Sequence, residues 1–140
     1  AGPINTECEF ALKRWGFECP PLFKDIPDVQ NKGVCLVDFN QKSQLTDGLR
    51  ESQIRGIIDH HALRNGSVSS DLPIYMDVRP WGSVSSIIAH TYFRNKKTMP
   101  KNIAGIMLSA ILSDTLNLNS PTCTDIDRQI CKRLAVAADI

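Results

Sequence analysis

Two short apolar runs end in charge. Val34-Cys35-Leu36-Val37 passes directly into Asp38, and Gly56-Ile57-Ile58 passes into Asp59-His60-His61. Unbroken apolar runs of this length read as strands of a parallel sheet, so strands are expected over 33–38 and 54–58, with a short helix or turn over 49–53. A third extended run covers 74–78, after a polar loop at 64–71. Elsewhere the period becomes helical. Thr6 with Glu9 forms a capping box, and Cys8, Ala11, Leu12 and Trp15 follow until Gly16 stops the helix. Pro20, Pro21 and Pro27 make 19–31 a loop. Gly82-Ser83 opens a helix whose apolar face is Val84, Ile87, Ile88 and Tyr92. Pro100 suits the first position of the next, with Ile103, Ile106, Met107, Ala110 and Ile111 as its stripe. Thr124 with Asp127 opens the last, which carries Ile130 and Leu134. Alternating strand and helix predicts an α/β fold, a mostly parallel sheet with helices on both faces.

Composition narrows the function classes. A chain of 140 residues can bury one real core. Sixteen basic and fifteen acidic residues leave a net charge of +1, which draws the chain toward neither nucleic acid nor anionic lipid. Aromatic residues are too sparse for base-stacking platforms. No apolar run approaches a membrane span. The five cysteines are scattered, with no Cys-x-x-Cys pair, a usage that fits a reducing compartment and predicts a cytoplasmic protein. Cys35, inside a strand pattern, is expected to behave as a small hydrophobe.

The charged strand ends carry the chemistry. Ligands of open α/β sheets gather at the carboxyl ends of the strands, where this chain places Asp38, Asp59, His60 and His61. Asp114 lies eleven residues beyond Ile103, which at about 100° per residue returns it to the apolar face of its helix. An inward carboxylate needs a partner. It is either a helix stop bonded to nearby backbone or a group that meets Asp38 and His60 around a cation. Mixed imidazole and carboxylate donors suit Mn²⁺, Fe²⁺, Co²⁺ or Zn²⁺ better than Ca²⁺. The Arg79-Pro80-Trp81-Gly82-Ser83 stretch could receive a phosphate at a helix N-terminus or be a plain cap. His90, alone on a helix, reads as structural.

Asp59-His60-His61 after an apolar strand, with Val37-Asp38 upstream, resembles the DHH phosphoesterase superfamily. More narrowly, four ordered segments are similar to the manganese-dependent (family II) inorganic pyrophosphatases. These are Leu36-Val37-Asp38-Phe39-Asn40, the run 56–61, the run 103–115 and Ser120-Pro121-Thr122-Cys123-Thr124-Asp125. The resemblance implies metal-dependent hydrolysis of pyrophosphate to two phosphates. It makes Asp38 a carboxylate bridging two metal ions and His60 and Asp114 ligands of one of them. It makes His61 the catalytic group that meets a phosphate oxygen, with Asp59 orienting a neighbouring imidazole. The implied metal is Mn²⁺, with Co²⁺ or Mg²⁺ as alternatives, and the implied assembly is a homodimer.

Two departures stand out. Phe39 replaces the histidine usual after the bridging aspartate, and a tuning effect is expected there. The opening strand and loop of the family, with a His and two Asp, do not occur, and neither does its smaller C-terminal substrate-binding domain. Residues 1–140 are therefore expected to be a partial DHH domain lacking its first strand, a fragment inactive alone. Alternative functions are an exopolyphosphatase, a DHH-type oligonucleotide phosphodiesterase, or a noncatalytic metal- or phosphate-binding dimerisation module.

Overall fold

The computed structural model describes residues 4–140. They fall into two units, one of residues 20–80 and one of residues 4–19 with 81–140.

The first unit holds the sheet. Strands β1 (Val34–Val37), β2 (Ile54–Asp59) and β3 (Tyr75–Val78) pair in the order β1-β2-β3, both pairs parallel. Val37 is opposite Ile58 and Asp59 is opposite Val78, so the strands finish nearly level. Leu36, Ile54 and Ile57 form the buried cluster, with Phe39, Leu45, Leu49, Val68 and Ile74 packed on it. The parallel sheet is as the apolar runs predict, and the four helices come before and after its three strands in the chain. Only 3-10 turns at Lys42–Gln44 and Glu51–Gln53 separate β1 from β2, and irregular chain joins β2 to β3. These links carry no apolar stripe of helical period, so they have no face with which a helix could cover the sheet. Cys35 is exposed, as is Val37, while Leu36 between them is buried. β1 is an edge strand with one covered face, and Cys35 points to the other.

The second unit is helical, with α1 (Thr6–Trp15), α2 (Val84–Arg94), α3 (Lys101–Asp114) and α4 (Asp125–Ala138). Asn5, one residue before the expected cap, accepts from the Cys8 amide at 2.8 Å. Asparagine is at least as good an N-cap as threonine, so the helix starts one residue sooner. Gly16 closes it at φ 74°. Pro100 caps α3 from just outside, not at its first position. Thr124 and Asp127 form the expected capping box of α4. Ala104, Leu108, Ile111, Ile130 and Leu134 build the core between α3 and α4. α1 lies against α3 through Trp15, whose Nε1 donates to Ser109 Oγ at 3.0 Å. A methyl at Gly105 would overlap the Trp15 ring, so only glycine allows this approach. Beyond α3, Leu116, Asn117 and Leu118 are all left-handed, and the Asn117 amide donates to Leu112 O at 2.7 Å. No helix among the described residues is long and apolar enough to cross a membrane.

Candidate metal centre

Asp38 follows the last residue of β1. Its amide still donates to Ile58 O at 3.0 Å, extending the ladder one step, while its φ of 72° turns the chain off the sheet edge. Aspartate is among the few non-glycine residues that accept a left-handed backbone at modest cost. On the neighbouring strand, Asp59 ends β2 with its side chain fully buried. The two turns that follow adjacent parallel strands therefore bring Asp38, His60 and His61 to one carboxyl edge.

One ligand atom from each of these three residues lies within 4.8 Å of the other two. His60 Nε2 stands 3.1 Å from Asp38 Oδ1, and the His60 and His61 rings meet edge to face at 4.3 Å. Donors held about 2.0–2.2 Å from one ion span separations of this order, and a carboxylate with two imidazoles is a donor set that divalent transition metals accept. The residues present fit such an ion.

Asp59 works behind this group. Its Oδ1 accepts from the His60 amide at 2.7 Å, the His61 amide at 3.2 Å and His61 Nδ1 at 2.8 Å. Its Oδ2 accepts from Asn40 Nδ2 at 2.7 Å. Burial pushes the Asp59 carboxyl up, but these hydrogen bonds together outweigh it and hold the group below the usual carboxylate range. An ionised carboxylate only accepts, so the proton of that contact is on His61 Nδ1 and the ring presents Nε2 outward. Asn40 is a site residue that motif spacing did not assign. It is 1% exposed, and its Oδ1 accepts from Gln41 Nε2 at 2.6 Å, so its amide cannot turn away from Asp59. Phe39 packs on the Leu36, Ile54 and Ile57 cluster, which makes it part of the core beneath the edge.

Asp114 ends α3, in the second unit, and is exposed, not turned inward as its place on the apolar stripe predicts. Its Oδ2 accepts from Ser83 Oγ at 2.6 Å. At the Gly82–Ser83 turn, Gly82 N donates to Asp127 Oδ2 at 2.9 Å, and Ser85 N donates to Ser83 Oγ at 3.2 Å. Arg79 is bound to Asp77 through Nε at 2.6 Å and through a second nitrogen at 2.8 Å. His90 packs edge to face on Trp81 at 5.3 Å, a structural contact.

A parallel sheet with an Asp-His-His turn at its carboxyl edge defines a class, and the model of the DHH family's N-terminal domain matches residues 5–111. The chain belongs to the DHH family. It is 39% identical, over 99% of its length, to a manganese-dependent inorganic pyrophosphatase of Methanocaldococcus jannaschii, covering 46% of that protein. It is 38% identical, again over 99% of its length, to a protein of Lactobacillus delbrueckii subsp. bulgaricus named probable manganese-dependent inorganic pyrophosphatase, covering 44% of it. A crystal structure from Methanococcus jannaschii assigned to the family II inorganic pyrophosphatases superposes with a TM-score of 0.88 at 39% identity, over 99% of this chain and 46% of that one. The chain thus spans somewhat less than half the length of the curated relatives it matches.

Proposed function

We propose that the protein hydrolyses inorganic pyrophosphate to two phosphates with manganese as its metal. The observation that carries this reading is the grouping of Asp38, His60 and His61 within 4.8 Å at the sheet edge. Asp38 and His60 hold the ion. Asp114 joins them as a further ligand, on the strength of its place in the 103–115 run that resembles the pyrophosphatase motif. Co²⁺ or Mg²⁺ would meet the same donors. Manganese, when bound, supplies Lewis acidity to a highly anionic substrate and to water.

The chain's own residues do the positioning. Asp59 holds His61 by Nδ1 at 2.8 Å, and the His61 side chain is 57% exposed, so Nε2 is free to meet a phosphate oxygen. As an imidazolium, with Nδ1–H still held by Asp59, His61 donates from Nε2 to charge that builds on that oxygen as the bridge breaks. Asn40 and Asp59 keep the ring from rotating. The protein acts in the cytoplasm and as a homodimer, the assembly the resemblance implies.

Phosphate release by the full-length protein, with Mn²⁺ and either pyrophosphate, a linear polyphosphate or a short oligonucleotide, tests the reading. Pyrophosphate should be the preferred substrate, and Asp38→Asn should abolish turnover. Preference for polyphosphate or the oligonucleotide would replace it with the corresponding phosphohydrolase.

A further inference from the structure

Asp114 stands where a carboxylate is electrostatically out of place. It is the last residue of α3, and the C-terminal end of a helix carries negative partial charge. What offsets this comes from the start of α2. Ser83 is fully buried and caps that helix. Its Oγ accepts from the Ser85 amide at 3.2 Å and donates to Asp114 Oδ2 at 2.6 Å. A hydroxyl has one proton, and here it points at Asp114. The distance is that of a charge-assisted O–H···O⁻ bond, and the amide feeding the same oxygen polarises it further. The contact also sets the carboxylate beside the first turn of α2, whose backbone N–H groups favour an anion.

Ser83 is itself held. Gly82 N donates to Asp127 Oδ2 at 2.9 Å, and that oxygen also accepts from Thr124 N at 2.8 Å and Thr124 Oγ1 at 2.6 Å. A Cβ at residue 82 would come within 2.8 Å of Thr115 Cγ2 and 3.2 Å of Cys123 Cα, so the turn has one packing. The N-terminus of α4 therefore fixes the turn before α2, and that turn aims the Ser83 hydroxyl.

We propose that Ser83 is a positioning residue for Asp114, fixing the rotamer of a carboxylate that receives the divalent metal. The inference rests on the reading of Asp114 as a metal ligand. Groups that orient a ligand in this way typically alter metal affinity by about 10–100-fold when removed.

The test is Mn²⁺ affinity of the full-length protein, read from the electron paramagnetic resonance signal of free Mn²⁺, in S83G, S83C, D114N and S83G/D114N. Glycine keeps most of the N-cap function and cysteine keeps the volume, so melting temperatures on the same samples separate loss of fold from loss of the hydroxyl. S83G and S83C should each weaken Mn²⁺ binding by about 10-fold or more. S83G/D114N should bind no more weakly than D114N. If D114N loses affinity while both Ser83 variants keep it, the positioning role is wrong and the ligand reading stands. If the double variant is weaker by the product of the two single effects, Ser83 acts elsewhere and the proposal fails. If D114N binds Mn²⁺ as the parent does, the ligand reading itself falls.

Discussion

His60 and His61 are neighbours in sequence, yet different things hold their rings. His60 turns Nε2 toward Asp38 Oδ1 at 3.1 Å, whereas His61 gives Nδ1 to Asp59 at 2.8 Å and is more exposed. The two imidazoles should therefore fail differently. His60→Ala removes a ligand, so metal affinity falls and excess Mn²⁺ restores part of the rate. His61→Ala leaves affinity nearly intact and lowers kcat by roughly 10²–10³-fold, the usual cost of one donor to developing charge. Metal titration beside steady-state kinetics of both variants checks this; loss of metal by His61→Ala alone would exchange the two roles. Asp38 asks for a different substitution, because at φ 72° an alanine would strain the backbone as well as remove the carboxylate. Asparagine tolerates that backbone, so Asp38→Asn isolates the charge.

At the scale of elements, Asp127 joins the turn before α2 to the first turn of α4. Burial pushes its carboxyl up, but the hydrogen bonds from Thr124 and the Gly82 amide, with the Ser86 hydroxyl nearby, outweigh this and hold it below the usual range. A lowered native pKa means that the ionised group stabilises the fold at neutral pH. The contribution is complete above the unfolded value of roughly 3.9 and is lost as pH falls through the lower native value. Urea midpoints from pH 7 to pH 2 should show that acid limb, and Asp127→Asn should flatten it while costing about 1–3 kcal/mol at neutral pH. An unchanged limb would place the acid sensitivity elsewhere. The Thr124–Asp127 box was legible in the sequence because a cap and its partner are three residues apart. The strand ends were legible because apolar runs stop abruptly in charge. The contacts of Asn40 and Ser83 were not: their partners lie 19 and 31 residues away, and a serine before a helix is already explained by capping. The links between the strands were legible as well, because polar, aperiodic segments offer a helix no apolar stripe.

For the whole molecule, a cation that binds the native state and not the unfolded chain must stabilise it. At a free Mn²⁺ concentration 100 times Kd the gain is about 2.7 kcal/mol. The melting temperature of the full-length protein should rise with Mn²⁺ and return to its starting value with a chelator, and Asp38→Asn should remove most of the rise. Calorimetric scans with and without the ion measure this. The gathering of Asp38, His60 and His61 bears on something other than equilibrium. All three come from residues 38–61, in the turns that follow two directly paired strands. Closing so short a loop costs little chain entropy. During synthesis, which delivers the N-terminal part of a chain first, this group leaves the ribosome well before α3 and Asp114. The edge that Asp38, His60 and His61 share can therefore close before the helical segment carrying Asp114 has been made.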